Sequence, residues 1–347
     1  MMDKKVTVIV PCYNSAKYLP KLLDSLKNQT IGIENLLCVF VDDASDDAGR
    51  TMDVIESFHS EFPDSVKTIR LEENMRQGGA RNAGMRYIES EWVQFVDADD
   101  WLERDALERL YQVAVNYDVD MIQYNARNGL DTKDDERNRI DRLVDIETAQ
   151  DRKDFLMAGI FNTSHNAKLY RRQIIQSSGA RFAEKKIYEE PLFVYPQFFY
   201  VRRVALLDED FYCRLYHGDN ATFTMNKEMQ IQHSQVQYEL LTFLKDHPWV
   251  TAAYRNEIGY YFLWTYFFET VINAGRTGTT VLTKTYFEKM QQICRSEFPD
   301  WRENPYVIEL AKPLAGVFDG IDTIFEDQEQ IDEFCRTAAV GVNGLVK

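Results

Sequence analysis

The sequence predicts an α/β fold, with a mostly parallel sheet flanked by helices and then a helical C-terminal region. Three observations carry that prediction. Short β-branched or aromatic runs alternate with stretches of helical periodicity. The strands are apolar along their length rather than at every second residue, which suits burial on both faces of a parallel sheet. Polar and acidic residues gather just after the strands, where open parallel sheets place their ligands.

The elements follow in order. "VTVIV" (6–10) runs into Pro11 and predicts the first strand. Leu19, Leu22, Leu23 and Leu26 recur at helical spacing, with Asn14 or Ser15 available as a cap. "LLCVFV" (36–41) predicts a second strand ending at Asp42-Asp43, and a helix follows over 51–62. "VKTIRL" (66–71) predicts strand three, and "GGARNAGMRYIE" reads as a glycine turn entering a helix. "WVQFV" (92–96) predicts strand four, "ERDALERLYQVAV" the next helix and "DMIQYN" (120–125) strand five. The polar stretch 128–153 reads as a loop or short excursion, "KLYRRQIIQ" (168–176) as helix-like, and 203–216 as strand again. From about residue 225 only helical patterns remain. These readings predict two domains, 1–222 and 223–347.

With 347 residues, 45% of them hydrophobic, the chain can bury a sizeable core. A net charge of −16 argues against a nucleic-acid surface, which needs basic patches. It leaves room for a small anionic ligand held by a few arginines and a metal ion. The five scattered cysteines form no CxxC or Cys/His cluster, as expected of free thiols in a reducing, cytoplasmic setting. The N-terminus lacks a signal-peptide layout, and the most apolar stretch, 258–268, is too short to span a bilayer. No membrane span is expected, peripheral association stays open, and the C-terminal helices are candidates for oligomerisation or acceptor binding.

The densest chemistry lies in "FVDADDWL" (95–102), where Asp97, Asp99 and Asp100 crowd behind a strand. Asp97-Ala98-Asp99 is a DxD, and oxygen ligands of this kind suit Mg²⁺ or Mn²⁺. Asp99 or Asp100 would serve equally to cap a helix starting near Leu102. Asp42, Asp43 and Asp46 also follow a strand; an acid there can hold ribose hydroxyls or a base N–H, or simply build a polar turn. In "EENMRQGGARNAG", glycines permit close backbone approach while Arg76 and Arg81 offer bidentate contacts.

The order of these pieces is specific. VIVPCYN, VDDASDD, NMRQGGARNAG and FVDADDW each stand at a strand end within residues 6–101. In this the chain resembles the family 2 glycosyltransferases closely over about 1–125, and more loosely to about 222 through "NAKLYRR", "YEEPLFVYP" and "FYCRLYHGDNAT". The resemblance implies an A-type nucleotide-diphospho-sugar fold. It implies that Pro11, Tyr13 and Asp42 hold uracil and ribose, with Asn14, Asp43 and Asn74 beside them, and that Arg81 contacts the nucleotide. Asp97, Ala98 and Asp99 match the DxD, with Asp99 the metal ligand. Glu190 stands where an Asp base is usual, one methylene longer, and Glu189 is the alternative. Arg214 and His217, ahead of Asn220, match a region that closes over the donor phosphates, with His217 a candidate third metal ligand.

The implied activity is transfer of a sugar from a nucleotide-diphosphate donor, a UDP-sugar, to a hydroxyl acceptor that is a glycan, lipid-linked or protein-linked. The displacement would be single, metal-assisted and inverting. A sugar nucleotidyltransferase would want a glycine-rich basic loop after strand one, and "PCYNSAKYLP" has no glycine. A non-catalytic binding module would have no need of both the DxD and the paired glutamates.

Overall fold

The computed structural model describes residues 4–128, 140–159, 161–217, 227–277, 282–310 and 312–343. The chain divides into two compact units, Met1–Gly218 and Asp219–Lys347. The boundary expected near residue 222 falls in 218–226, outside the described residues.

The first unit is built on a curled sheet. Its strands are β1 (Val6–Cys12), β2 (Leu36–Asp42), β3 (Val66–Arg70), β4 (Trp92–Phe95), β5 (Trp101–Leu102), β6 (Met121–Asn128), β7 (Ile140–Asp145), β8 (Lys168–Arg171) and β9 (Arg203–Arg214). The order is β3-β2-β1-β4-β8-β6-β9-β5, with β7 also on β9. The block β3-β2-β1-β4 is parallel, as the apolar runs predict. Beyond β4 the sheet is mixed. β8 is antiparallel to both β4 and β6, β9 is parallel to β6, and β5 and β7 are antiparallel to β9.

The helices of this unit are α1 (Leu19–Lys27), α2 (Arg50–Glu61), α3 (Arg76–Met85), α4 (Ala106–Asn116), α5 (Ala149–Met157), α6 (Arg172–Ser178) and α7 (Glu190–Gln197). Every residue of β1 and β2 is buried, because both faces are covered. Val8, Val10, Cys38 and Phe40 share one core with Leu19, Leu22 and Leu26 of α1, Ile55 and Phe58 of α2 and Leu110 of α4. On the opposite face, Gly84 of α3 lies against Ile9 and Val41. The alternation of side chains along a strand accounts for this division.

Several local expectations are corrected. Neither Asn14 nor Ser15 caps α1 through its side chain: the Ser15 hydroxyl bonds back to Tyr13, and Asn14, at φ 50°, pairs with Asp46. Asp99 and Asp100 cap nothing, since Trp101–Leu102 pairs with Tyr212–Cys213 and the helix starts only at Ala106. The stretch 128–153 holds β7 and the start of α5, the latter opened by a Thr148/Asp151 capping box. The stretch 168–176 is a buried strand before it is a helix, because β4 and β6 need a partner between them.

The second unit is helical. Its helices are α8 (Lys227–Lys245), α9 (Pro248–Ala253), α10 (Arg255–Phe262), α11 (Glu269–Thr277), α12 (Lys284–Glu297), α13 (Pro305–Leu310), α14 (Ala315–Phe318) and α15 (Gln328–Asn343). A π-helical turn, Leu263–Phe268, joins α10 to α11. Phe262, Leu263, Phe267, Val271, Phe287, Met290, Cys294 and Ile321 are buried in it. No described helix is long and apolar enough to cross a membrane. All five cysteines are buried free thiols.

Close approach decides one position in α3. A Cβ at Gly78 would stand 2.1 Å from the carbonyl oxygen of Ala183 and 3.0 Å from Glu189 Cγ. Alanine normally gains about 1 kcal/mol over glycine inside a helix. Here overpacking, worth about 1–3 kcal/mol, should reverse the sign. Gly78→Ala is therefore expected to lower the urea midpoint, and a raised midpoint would show that α3 is not tightly seated.

Candidate active site

The residues singled out in the sequence meet at the carboxyl ends of β1, β2 and β4. Pro11 is tolerated in a central strand because β4 pairs with β1 only as far as Ile9, so no ladder bond is lost. Tyr13 is 47% exposed and free to stack on a ring. Asn14 is bound into the β2 loop through Ser45 and Asp46. Asp42 is fully buried; the Ser45 hydroxyl donates to Oδ1, while among the described residues Oδ2 has no hydrogen-bond partner and lies 3.5 Å from Arg70 Nε. Asp43 instead accepts the Met75 N–H at 2.7 Å, and burial pushes its carboxyl up to about 6. Asn74 reaches the Asp43 carbonyl at 3.3 Å. These two hold the loop that enters α3.

The three aspartates after β4 face three different partners. Asp97 accepts from Arg81 Nη2 at 2.6 Å. Burial alone would raise it, but Arg81 and then His165 outweigh that and hold it well below the usual carboxylate range. Asp100 accepts the Leu215 N–H at 2.9 Å and the Tyr212 hydroxyl, and burial and then Asp97 and Asp99 push it up to about 7. Asp99 Oδ2 lies 3.0 Å from His217 Nε2, and burial followed by the charge of Asp97 raises it. Ala98 is buried beneath this turn. His217 is stacked on Tyr18, ring centroids 4.4 Å apart. Asn220 lies outside the described residues.

The adjacent glutamates diverge at the start of α7. Pro191 sits in its first turn and Glu190 is its first residue. Glu189 is buried, ion-paired with Arg81 Nη1 and accepting from Gln77 Nε2 at 3.1 Å. Burial and then the Glu190 carboxylate push it up, to about 7, against the pull of Arg81. Glu190 keeps 29% of its side chain exposed, with His165 Nδ1 at 3.6 Å. The resemblance implies a nucleotide contact for Arg81. In the structure both of its terminal nitrogens are spent on Asp97 and Glu189.

Among the described residues of the site, two groupings offer ligand atoms to a cation. Two ligands about 2.1 Å from one octahedral ion stand about 3 Å apart; Asp99 Oδ2 and His217 Nε2, hydrogen-bonded at 3.0 Å, would keep that spacing if a cation replaced the shared proton. His165, Glu189 and Glu190 bring ligand atoms within 4.8 Å of one another. A cation there would face the Arg81 guanidinium already on Glu189, so the Asp99–His217 pair is the better fit. Sequence reading missed His165, Tyr18, Gln77 and Tyr212. His165 stands one residue ahead of "NAKLYRR", but no spacing rule links it to residues 97 and 190.

Comparison with known proteins follows the same lines. The model of "Glycosyl transferase family 2" matches residues 7–209. Glycosyltransferase GlyA of Streptococcus pneumoniae is 40% identical over 121 residues, 35% of this chain and 16% of its own length. The poly(ribitol-phosphate) β-N-acetylglucosaminyltransferase TarS of Staphylococcus aureus is 29% identical over 212 residues, 60% of this chain and 35% of its own. The chain thus spans well under half the length of these curated relatives. The crystal structure of S. aureus TarS 1–349 superposes with a TM-score of 0.63 at 19% identity, over 98% of this chain and 91% of that one. Its complex with UDP-GlcNAc gives 0.58 at 18% identity, over 98% and 92%. Likeness at that identity establishes the fold.

Arg81 generates a stability prediction. Arg81→Met strands two carboxylates in the interior, and breaking a buried pair costs about 3–5 kcal/mol. Adding Glu189→Gln removes one stranded charge and should recover part of the loss. Equal denaturation midpoints for Arg81→Met and wild type would contradict the pairing.

Proposed function

The chain belongs to glycosyl transferase family 2, and from that premise we propose that it moves a sugar from a UDP-sugar to a hydroxyl on a glycan or surface polymer. The observation that carries this reading is the meeting of Asp99 Oδ2 and His217 Nε2 at 3.0 Å behind β4. The named activity of TarS and its UDP-GlcNAc complex support the donor class.

Asp42 Oδ2, without a hydrogen-bond partner among the described residues, would accept the imide N–H of uracil once the groups that bury it part, and Tyr13 would cover the base. Asp99 and His217 would hold Mg²⁺ or Mn²⁺, with Asp97 behind them. When bound, that ion supplies charge neutralisation for a diphosphate leaving group. Asp97 stays ionised because Arg81 faces it.

Glu190 acts on the acceptor. Burial would raise it, but His165 and Arg81 outweigh that and hold it below the ordinary carboxylate value, so it is ionised and able to take a proton. It removes the acceptor hydroxyl proton as the new C–O bond forms and UDP departs from the opposite face. One displacement inverts the anomeric centre and needs no covalent nucleophile.

Asp99→Ala is expected to weaken UDP binding in Mn²⁺ by about 1–3 kcal/mol, the worth of a charge-assisted contact, and to abolish transfer. Unchanged affinity by calorimetry in Mn²⁺ would remove Asp99 from the metal site.

Glu190→Gln should lose at least about a hundredfold in turnover with UDP affinity little changed. Glu189→Gln should cost stability more than turnover, since Glu189 is spent on Arg81. If Glu189→Gln is the inactive variant of the two, the base assignment is one residue out of register.

A further inference from the structure

His165 is a buried imidazole that the reading above leaves unused. It is 2% exposed, and neither ring nitrogen has a hydrogen-bond partner among the described residues. A buried polar group left unpaired costs about 1–3 kcal/mol, and native interiors seldom carry one. Yet this ring is held with care. Phe95 and Phe182 meet it edge-on, with centroids 6.2 and 5.7 Å away. The Tyr170 hydroxyl donates to the His165 carbonyl at 3.0 Å. Lys168, itself fully buried, ties the loop by donating to Asn162 Oδ1 at 2.6 Å and to the Ser164 carbonyl at 2.7 Å.

So fixed, the ring aims its two nitrogens at carboxylates from different elements. Nε2 lies 3.5 Å from Asp97 Oδ1 and Nδ1 lies 3.6 Å from Glu190 Oε1. Both distances are just beyond a hydrogen bond, the state in which catalytic contacts often rest before substrate draws them tight. Asp97 has a second anchor in Arg81. For Glu190, His165 is the one ion-pair contact within 4 Å among the described residues.

We propose that His165 is a positioning residue for the transfer step: its imidazole, braced against Asp97, holds the Glu190 carboxylate in line with the acceptor hydroxyl. This rests on the reading of Glu190 as the base. It assigns His165 no proton of the reaction and no contact with donor or metal.

The test is a double-mutant cycle on the full chain, with turnover of a UDP-sugar and UDP affinity both measured. His165→Phe keeps the aromatic packing and removes both nitrogens. It is expected to lower turnover at least ~30-fold, a large part of what a general base contributes, with UDP affinity within ~2-fold. In a Glu190→Gln background the same change should cost under ~3-fold, because residues acting as a unit are not additive. His165→Gln, whose amide can donate to Glu190, should recover part of the turnover; if the Phe variant does not fold, the same cycle run with Gln decides.

Equal losses in both backgrounds, or UDP affinity falling in step with turnover, would reduce His165 to packing and overturn the proposal. So would wild-type turnover in His165→Phe. A wild-type chain that binds UDP but transfers no sugar overturns the functional reading itself, and this proposal with it.

Discussion

The Arg81 guanidinium, buried and bonded at both ends, ties together three pieces of chain that the sequence builds far apart. It rises from α3, takes Asp97 after β4 with one nitrogen and Glu189 before α7 with another. Burying one cation between two anions is tolerable because each charge meets a partner with directed hydrogen bonds. A lysine, with a point charge and no planar fork, would not span both. The clamp demands that α3 lie close, and the glycines at its start allow it: a side chain on Gly78 would meet the Ala183 carbonyl.

From that constraint follows the pattern of the acidic runs. In each, one member is spent on structure and another is left without that role. Asp43 fastens the loop before α3, while Asp42 keeps an oxygen without a hydrogen-bond partner among the described residues. Asp97 and Asp100 go to Arg81 and to the end of β9, which leaves Asp99 toward His217. Glu189 goes to Arg81, and Glu190 to the space beside His165. Repulsion among neighbouring carboxylates is thus eased by separate partners, though it still raises Asp99, Asp100 and Glu189. The connecting loops carry strain to match. Asn14, Ala44, Ala48, Arg76, Lys185 and Tyr188 all take positive φ without being glycine, conformations that persist where the surroundings over-determine them.

Much of this was legible in the residues themselves. Period and apolar run length belong to local sequence, so β1, β2, β3, β4 and the helices between them could be read directly, with Pro11, Asp42, Asp97 and Asp99 at their carboxyl ends. The helical character of the second unit was legible for the same reason. Less so was the far side of the sheet. The pairing of β8 between β4 and β6 depends on residues more than forty positions away in sequence, and "KLYR" carries no local mark that prefers strand to helix.

Composition and periodicity therefore determined the α/β class, the parallel block and the order of acidic groups along one edge, because each depends on neighbours a few residues apart. Tertiary structure alone decided which acid of each run is taken up by structure, since that turns on where α7 begins and on what Arg81 reaches. It also decided that His165, Tyr18 and Tyr212 belong to the site. Their places are set by contacts across 68, 199 and 115 residues with Asp97, His217 and Asp97 respectively, and no pattern within a single element encodes a distance of that kind.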